Sequence, residues 1–201
     1  TVSPKIELQK IWHAKEGNQY AELDSDFDGP TGNPALENAS TKISQTLDTV
    51  VGQTYEISFS FAARPGTPVE DNILRFYIDG IDHTGVSGLN AGGENSNTVW
   101  TTFTYTFVAV DSTTVISFAD SGVPNALGTF IDNVVVKCID DETGGEDKEF
   151  TVNVDKIVCD VETDLPNYGA GGPNITATTA SDWVASHPNC QIVKDWVFEW
   201  A

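Results

Sequence analysis

The feature of this sequence that most restricts its fold is a two-residue alternation of apolar and polar side chains between residues 55 and 137. Tyr55–Phe61 reads Tyr-Glu-Ile-Ser-Phe-Ser-Phe, and Thr101–Phe107 alternates threonines with aromatic residues. Successive side chains of a β-strand point to opposite sides of its sheet, so this period predicts half-buried strands. No stretch carries a helical stripe longer than about two turns.

Further short strands are predicted along the chain, separated by turn clusters rich in Gly, Pro and Asn. The predicted strands are 18–23, 42–47, 72–78, 113–118 and 129–137, and the turn clusters are 26–34, 64–71, 89–97 and 121–128. Many short strands at nearly regular spacing are typical of all-β proteins whose sheets pack face to face. We therefore predict an antiparallel β-sandwich of the jelly-roll type.

The composition changes after residue 138. Residues 139–148 read Ile-Asp-Asp-Glu-Thr-Gly-Gly-Glu-Asp-Lys, which is polar, charged and glycine-containing, as linkers are. We predict a jelly-roll domain over 1–138, a linker over 139–148 and a second small β module over 149–201. In that module we predict strands over 149–158 and 196–200 and a short helix over 179–186. We expect the module to be incomplete, because its final apolar strand needs a partner.

The net charge of the chain excludes two classes of partner. The sequence carries 30 acidic and 10 basic side chains, a formal net charge of −20. This charge repels phosphate backbones and anionic lipid headgroups, so we expect neither nucleic-acid binding nor membrane-surface binding. No apolar run approaches the roughly 20 residues of a membrane span. An acidic surface rich in Thr, Asn, Asp and Gly suits a soluble extracellular protein.

Signatures of catalysis are weak. The three histidines (His13, His83 and His187) lie far apart, and the sequence contains no nucleophile elbow, HExxH motif or phosphate-binding glycine loop. With 30 acidic residues, counting cannot assign a glycosidase carboxylate pair. We therefore predict that the protein is not an enzyme.

The three cysteines are too few for a disulfide scaffold and lack the spacing of a zinc site. Cys159 and Cys190 both lie in the C-terminal quarter, so we predict a disulfide between them in an oxidising compartment. Cys138 is then either buried and free or paired with a residue outside this sequence.

An acidic turn is the sharpest local motif. Asp24, Asp26 and Asp28 occupy alternate positions and are followed by Gly29. Carboxylates spaced in this way can turn oxygens toward one ion while the glycine lets the chain bend, and calcium takes oxygen ligands. The loop is not an EF-hand, because loop position 12 is Ala35 and the flanks are not helical. It is either an irregular calcium loop on a β scaffold or an acidic solvated turn.

A polar sheet face is the candidate ligand site. If the apolar residues of the strands flanking Arg64 face the core, then Glu56, Arg75 and Tyr77 emerge outside, with Arg64 beside them. An exposed ring can pack on the apolar face of a pyranose, while charged groups bind neighbouring hydroxyls. Trp12 is a further candidate aromatic platform. These residues predict sugar binding, with cross-strand ion pairing on a solvated face as the alternative.

Five segments occur in a recognisable order. They are 16–25 (Glu-Gly-Asn-Gln-Tyr-Ala-Glu-Leu-Asp-Ser), 43–47 (Ile-Ser-Gln-Thr-Leu), 52–64, 100–103 (Trp-Thr-Thr-Phe) and 128–134 (Gly-Thr-Phe-Ile-Asp-Asn-Val). Together they resemble the galactose-binding-domain-like jelly rolls, which include many carbohydrate-binding modules and related bacterial surface-protein and plant cell-wall domains. The resemblance covers about residues 1–138 and is more specific for the fold than for a ligand.

This resemblance implies a structural calcium at one edge of the sandwich. Asp132 is the implied ligand from the last strand, and the implied companions are the oxygens of the segment Glu22–Asp28, with Glu22, Asp24, Asp26 and Asp28. Such modules usually open with a strand containing Phe-Glu, which this sequence does not show. One hypothesis is that the missing first strand and the last strand, 193–200, complement one another between copies of the chain.

The C-terminal part resembles, more faintly, the repeated β modules of bacterial surface adhesins, some of which carry an isopeptide bond. Lys156 is the candidate for such a bond, and an ordinary strand lysine is the alternative. We therefore expect a calcium-stabilised, non-catalytic module that binds a glycan or mediates adhesion at a bacterial surface or in a secreted protein. The alternative is a structural subunit of a surface layer, filament or adhesin stalk, whose partners are copies of itself.

Overall fold

The computed structural model describes residues 7–24, 40–139, 149–152, 157–159, 190–192 and 196–200. Across these residues the chain forms two antiparallel sheets and one separate strand pair. A single 3-10 turn, Val69–Asp71, is the one helical element in this part of the chain. The described part of the chain contains no helix that is long and apolar enough to cross a membrane.

The first sheet (sheet 1) contains β1 (Glu7–Gln9), β2 (Tyr20–Glu22), β4 (Thr54–Ala62), β8 (Thr101–Val108), β10 (Phe130–Ile139) and β11 (Glu149–Val152). Its strand order is β1-β2-β10-β4-β8, and β11 also pairs with β10. The second sheet (sheet 2) contains β3 (Thr41–Asp48), β5 (Ile73–Ile78), β6 (Ile81–Asp82), β7 (Leu89–Asn90), β9 (Thr113–Asp120) and β14 (Trp196–Trp200). Its order is β14-β3-β9-β5-β6, and β7 also pairs with β5. The separate pair consists of β12 (Ile157–Cys159) and β13 (Cys190–Ile192).

The prediction of an all-β antiparallel sandwich is confirmed. Each strand predicted before residue 138 has a counterpart whose ends lie within two residues of the predicted ones. Strands β1, β6 and β7 were not predicted, because two or three residues are too few to show a period.

One apolar core lies between the two sheets. Phe59 of β4 is fully buried, and its ring centroid lies 5.2 Å from that of Phe76, 5.3 Å from that of Phe103 and 4.8 Å from that of Phe118. These four rings come from both sheets, because alternate residues of each strand face inward. Full burial of a phenylalanine contributes about 1.5–3 kcal/mol relative to exposure, so this aromatic group holds the sheets together.

Strands from the C-terminal part of the chain extend both sheets. β11 pairs with β10, and β14 pairs with β3 in a register that places Phe198 opposite Ile43. The strand predicted over 196–200 therefore finds its partner within the same chain. The division into a domain over 1–138, a linker and a module over 149–201 stays a prediction. The predicted helix over 179–186 and Lys156 lie outside the described residues.

Candidate functional site

A second, smaller aromatic cluster covers one end of the outer face of sheet 1. The segment that joins β1 to β2 lies against this face, where Trp12 packs on Phe130 with 5.7 Å between ring centroids. Tyr20 is buried between Phe130, at 4.6 Å, and Trp100, at 5.7 Å. The indole N–H of Trp100 donates to the carbonyl oxygen of His13 at 2.9 Å and so holds this segment down. Residues at this end are therefore buried although they belong to the outer side of the sheet.

Glu22 and Arg64 form a buried ion pair beneath this cluster. Nη1 of Arg64 lies 2.7 Å from each carboxylate oxygen of Glu22. The Gly128 N–H donates to Oε1 of Glu22 at 3.1 Å, and the Gln9 amide donates to Oε2. The guanidinium also lies over the Trp12 ring, 5.6 Å from its centroid. The Glu22 carboxylate is thus fully compensated by a cation and hydrogen-bond donors.

Asp24 and Asp120 form a second buried acidic site, where the loop 121–129 joins β9 to β10. Asp120 accepts hydrogen bonds from Ser40 Oγ at 3.1 Å and from the backbone N–H of Gly122 at 3.0 Å. Burial and, after it, the charge of Asp120 together raise the pKa of Asp24 to about 7. Burial likewise raises the pKa of Asp120 to about 6. The two carboxylates therefore destabilise each other's ionised form.

Asp132 lies elsewhere, at a bulge in β10. The register with β4 shifts between Asp132 and Val135, and Asn133 has a φ of 50°. Oδ2 of Asp132 accepts the backbone N–H groups of Lys15 at 2.7 Å and Glu16 at 3.0 Å. Burial raises the pKa of Asp132. This carboxylate anchors the segment between β1 and β2 to the last strand of the sandwich.

The three described members of the predicted calcium set, Glu22, Asp24 and Asp132, do not form one metal-binding group. Glu22 pairs with Arg64 and Asp132 binds backbone N–H groups, so a metal at either would have to displace existing donors. Asp26 and Asp28 lie outside the described residues. Within the part of the chain that the structure describes, no three His, Cys, Asp or Glu side chains form a group that could hold a metal. Calcium binding stays a prediction, and of the described residues in the predicted set only Asp24 keeps an unpartnered oxygen.

The outer face of sheet 2 is an open polar surface next to an aromatic ring. Tyr77 of β5 is half-buried, and Nζ of Lys42 lies 5.7 Å from the centroid of its ring. Tyr77 lies opposite Ser117 of β9. Beside it is a shallow depression of ≈ 490 Å³, lined by Lys42, Ser44, Thr46, Asp79, Gly80, Val115 and Ser117. This surface combines a ring face, a cation and hydroxyl groups, of which those of Ser44 and Ser117 are buried, with Ser44 Oγ donating to Ser117 Oγ at 2.9 Å.

Arg75 is held on the same strand by the loop between β6 and β7. Its Nη1 donates to Oδ2 of Asp82 at 2.9 Å and to the carbonyl of Gly85 at 2.5 Å, and its Nη2 donates to the carbonyl of Val86 at 2.9 Å. Gly88 packs against this arrangement, because a Cβ there would lie 3.3 Å from Nε of Arg75. Arg75 therefore positions the loop beside Tyr77.

The prediction that Arg64 lies beside Arg75 and Tyr77 is wrong. The chain from 64 to 72 crosses from sheet 1 to sheet 2, so β4 and β5 belong to different sheets. Trp12 is packed on Phe130 rather than presented as a platform. Glu56 is on sheet 1, opposite Lys137 of β10 and Thr106 of β8. Of the predicted sugar-binding residues, Arg75 and Tyr77 share the outer face of sheet 2, whereas Trp12 and Arg64 pack on each other at sheet 1.

The predicted disulfide falls on opposed positions. Cys159 and Cys190 are register partners in the β12–β13 pair. Opposed residues of antiparallel strands have Cα atoms about 4.5–5.5 Å apart, within the range that a disulfide spans. The bond itself stays a prediction. Cys138 is half-buried on β10, opposite Tyr55.

These sheets and their core define the chain as an antiparallel β-sandwich protein. Residues 5–137 match the family DUF642, described as a protein of unknown function. Because this match covers about two thirds of the 201 residues, the chain belongs to that family. No curated protein matches the sequence.

Proposed function

We propose that this protein is a non-catalytic extracellular module that binds a glycan on the outer face of sheet 2. The observation that carries the proposal is the Tyr77 ring beside the depression that Lys42, Ser44 and Ser117 line. Pyranose rings present an apolar face to aromatic side chains and hydroxyl groups to polar ones, and this surface offers both. The site lies on strands of the sandwich, so its geometry is set before a ligand arrives.

The residues of this face have different roles in the proposal. Tyr77 provides the stacking surface, and Lys42 donates charge-assisted hydrogen bonds to sugar oxygens. Both terminal guanidinium nitrogens of Arg75 already donate to Asp82 and to backbone carbonyls. Arg75 is therefore a positioning residue, which differs from the direct contact expected from the sequence.

Two further observations support a binding role outside the cell. The ordered segments resemble galactose-binding-domain-like jelly rolls, among which carbohydrate-binding modules are common. The net charge of −20 disfavours nucleic acid and anionic membranes as partners. Calcium stabilisation belongs to the same proposal.

A panel of immobilised polysaccharides and glycans tests the proposal. Wild-type protein should bind at least one of them, and Tyr77→Ala should lose that binding. Glu56→Ala is the matched control, because Glu56 occupies the other sheet and its removal should leave binding unchanged. Binding by Tyr77→Ala at wild-type strength, or no binding by wild-type protein to any glycan, would reject the proposal.

A structural, self-assembling role is the second candidate, and the pairing of β14 with β3 favours it. β14 is separated from the sandwich strands by the segment after β10, so the same pairing could form between two copies of the chain. Light scattering after size-exclusion chromatography of concentrated protein distinguishes the two. Concentration-dependent oligomers that vanish when residues 196–201 are removed would support assembly, and a monomer at every concentration would reject it.

A further inference from the structure

We infer that two copies of this chain associate through β8, the edge strand of sheet 1, which pairs antiparallel with β8 of the second copy about a twofold axis at Tyr105. The inference goes beyond glycan binding, because β8 belongs to sheet 1 and the proposed binding face to sheet 2. It also uses a strand other than β14, whose pairing with β3 is the basis of the second candidate function.

β8 lacks the features that usually protect the edge of a sheet. In the described residues it pairs with β4 on one side, and no strand lies on its other side. Its eight residues pair with β4 without a register shift and include no charged residue and no proline. Natural edge strands are usually very short or carry a lysine, a proline or a bulge, because an open edge pairs with other chains. The edge strands β1, β6 and β7 have only two or three residues.

The open backbone groups of β8 belong to alternate residues. The N–H of Ala109, the residue after β8, donates to the carbonyl oxygen of Gln53, the residue before β4, at 2.9 Å. Hydrogen-bonded and non-hydrogen-bonded positions alternate along an antiparallel ladder. Counting back from Ala109, the odd-numbered residues of β8 therefore direct their backbone N–H and C=O groups to β4. The even-numbered residues direct theirs to the open edge, and these are Thr102, Thr104, Thr106 and Val108.

The sequence of β8 is complementary to itself. Residues 103–107 read Phe-Thr-Tyr-Thr-Phe, which is the same in both directions. Antiparallel pairing about Tyr105 places this residue opposite Tyr105 of the second copy. It also places Phe103 opposite Phe107 and Thr104 opposite Thr106. Aromatic pairs and threonine pairs both stabilise antiparallel sheets, and a twofold interface uses the same surface on each chain. A second copy of this chain therefore fits the edge.

The same register joins the open backbone groups of the two copies. It pairs Thr104 with Thr106 and Thr102 with Val108, which are the residues whose N–H and C=O groups face the open edge. The aromatic residues then take the non-hydrogen-bonded positions, where opposed Cα atoms are only about 4.5 Å apart. Contact between side chains is therefore closest where the side chains are largest.

The aromatic side chains of β8 are only half-buried. Phe103, Tyr105 and Phe107 pack against the core but keep part of their surface exposed, whereas Ile57 and Phe59 of the neighbouring strand are 0 % exposed. The Tyr105 ring also lies against His83, with 4.5 Å between ring centroids. A second β8 strand continues sheet 1 and covers the exposed side of these rings. Apolar burial then adds to the new hydrogen bonds.

Charge predicts how the association depends on salt. Each chain has a net charge of −20, so two copies repel each other, although β8 itself carries no charge. Salt screens this repulsion and leaves backbone hydrogen bonds and apolar contacts in place. Raising the sodium chloride concentration from about 0.1 to about 1 M shortens the Debye length from about 10 to about 3 Å. The dissociation constant of the dimer should therefore fall.

Sedimentation velocity of the full chain over a concentration series tests the inference. Wild-type protein should show a reversible monomer–dimer equilibrium. Thr104→Pro should raise the dissociation constant about tenfold or more, because proline removes an N–H that faces the open edge. The hydrogen bonds to β4 are kept, as at other edge positions that accept proline. Thr104→Val is the matched control, because it keeps the N–H and the side-chain size, and it should dimerise as wild type does.

A mixing experiment tests the register and does not depend on how well Thr104→Pro folds. Thr104→Cys and Thr106→Cys are prepared separately, and both positions are exposed. Oxidation of a mixture should give a covalent dimer, because opposed hydrogen-bonded residues have Cα atoms about 5.5 Å apart, within the range of a disulfide. Either variant alone should not, because its two cysteines would be offset by two residues along the strands. Mass spectrometry of peptides separates this bond from bonds to the native cysteines.

A monomer at every concentration would overturn the inference and leave the edge of β8 to a different partner. A dimer that Thr104→Pro leaves unchanged would also overturn it, as would a mixture that gives no more covalent dimer than either variant alone. Oligomers that are lost on removal of residues 196–201 and kept in Thr104→Pro would assign the association to β14 instead. Glycan binding by Thr104→Pro should equal that of the wild type, and it reports on the proposed function separately.

Discussion

Arg64 donates from one guanidinium nitrogen to both carboxylate oxygens of Glu22, which lies 42 residues earlier in the sequence and 2.7 Å away. The two residues connect the β1–β2 hairpin to the start of the crossover between the sheets. Trp12 covers the pair from the solvent side. Because this contact is buried and joins distant parts of the sequence, the stability of the hairpin and that of the crossover depend on each other.

Replacing Arg64 with alanine should strongly destabilise the protein. The substitution leaves the fully buried Glu22 charged and without its cation, which typically costs about 3–5 kcal/mol. Denaturant unfolding followed by tryptophan fluorescence measures the effect. Arg75→Ala is the matched control, because the Arg75–Asp82 pair is solvent-exposed and such pairs contribute about 0–1 kcal/mol. Equal losses in the two variants would contradict the assignment of Arg64 to a buried pair.

In the presence of a chelator, the free energy of unfolding should fall as the pH rises from about 4 to about 7. The pKa of Asp24 is raised from 3.8 to about 7 and that of Asp120 to about 6, so the folded state holds protons that the unfolded chain has released. The contribution of these two carboxyl groups to the free energy of unfolding is fully present below pH 3.8. It is lost as the pH rises through their folded-state pKa values of about 6 and about 7. Urea unfolding at several pH values measures the slope, which Asp120→Asn should flatten. A stability that rises with pH over this window in chelator would contradict the shifts.

In protein made under oxidising conditions, a thiol assay should detect one reactive cysteine rather than three. The register places Cys159 opposite Cys190, which favours a disulfide between them and leaves Cys138. Intact mass under non-reducing conditions should be lower than the reduced mass by two hydrogens. Cys159→Ser should give a chain without this bond, less stable by about 2–4 kcal/mol. Three alkylated cysteines in the non-reduced wild type would exclude the bond.

Gly88→Ala should be more damaging than Gly85→Ala, although both glycines have positive φ, of +70° and +75°. An alanine costs about 1–2 kcal/mol in this conformation at either position. At Gly88 the added Cβ would also lie 2.7 Å from Cγ2 of Ile73 and 3.3 Å from Nε of Arg75, whereas at Gly85 it meets nothing within 4 Å. Tm and glycan binding should therefore both decrease more for Gly88→Ala. Identical behaviour of the two variants would show that the contact with Arg75 has no role.

The strands were predictable because alternation along one segment reports directly on a sheet with one buried face. The sites depended on a different kind of information. Glu22 and Arg64 occupy positions that alternation assigns to the outer side of their sheet, and both are buried because the segment after β1 folds over that end. This burial depends on a loop that covers the end of the sheet. Alternation of apolar and polar residues within a strand does not indicate where such a loop lies.

Asp120 was missed for a related reason. It closes β9 with Ser121 and Gly122 after it, and this pattern is equally typical of an ordinary polar turn. Only the approach of Asp24, across 96 positions of the chain, distinguishes it. The error in grouping Arg64 with Arg75 likewise came from the crossover, since neighbouring strands in sequence can lie in different sheets.

The position of β10 in sheet 1 has a consequence for how the protein is made. β10 lies between β2 and β4, so in the described sheet the hairpin of β1 and β2 reaches the other strands through it. During synthesis, Tyr20–Glu22 cannot pair with β10 until Phe130 and Ile131 have left the ribosome. Loop closure over such a distance slows folding and leaves an unpaired hairpin exposed in the meantime. The chain therefore completes this sheet only after β10 has been synthesised.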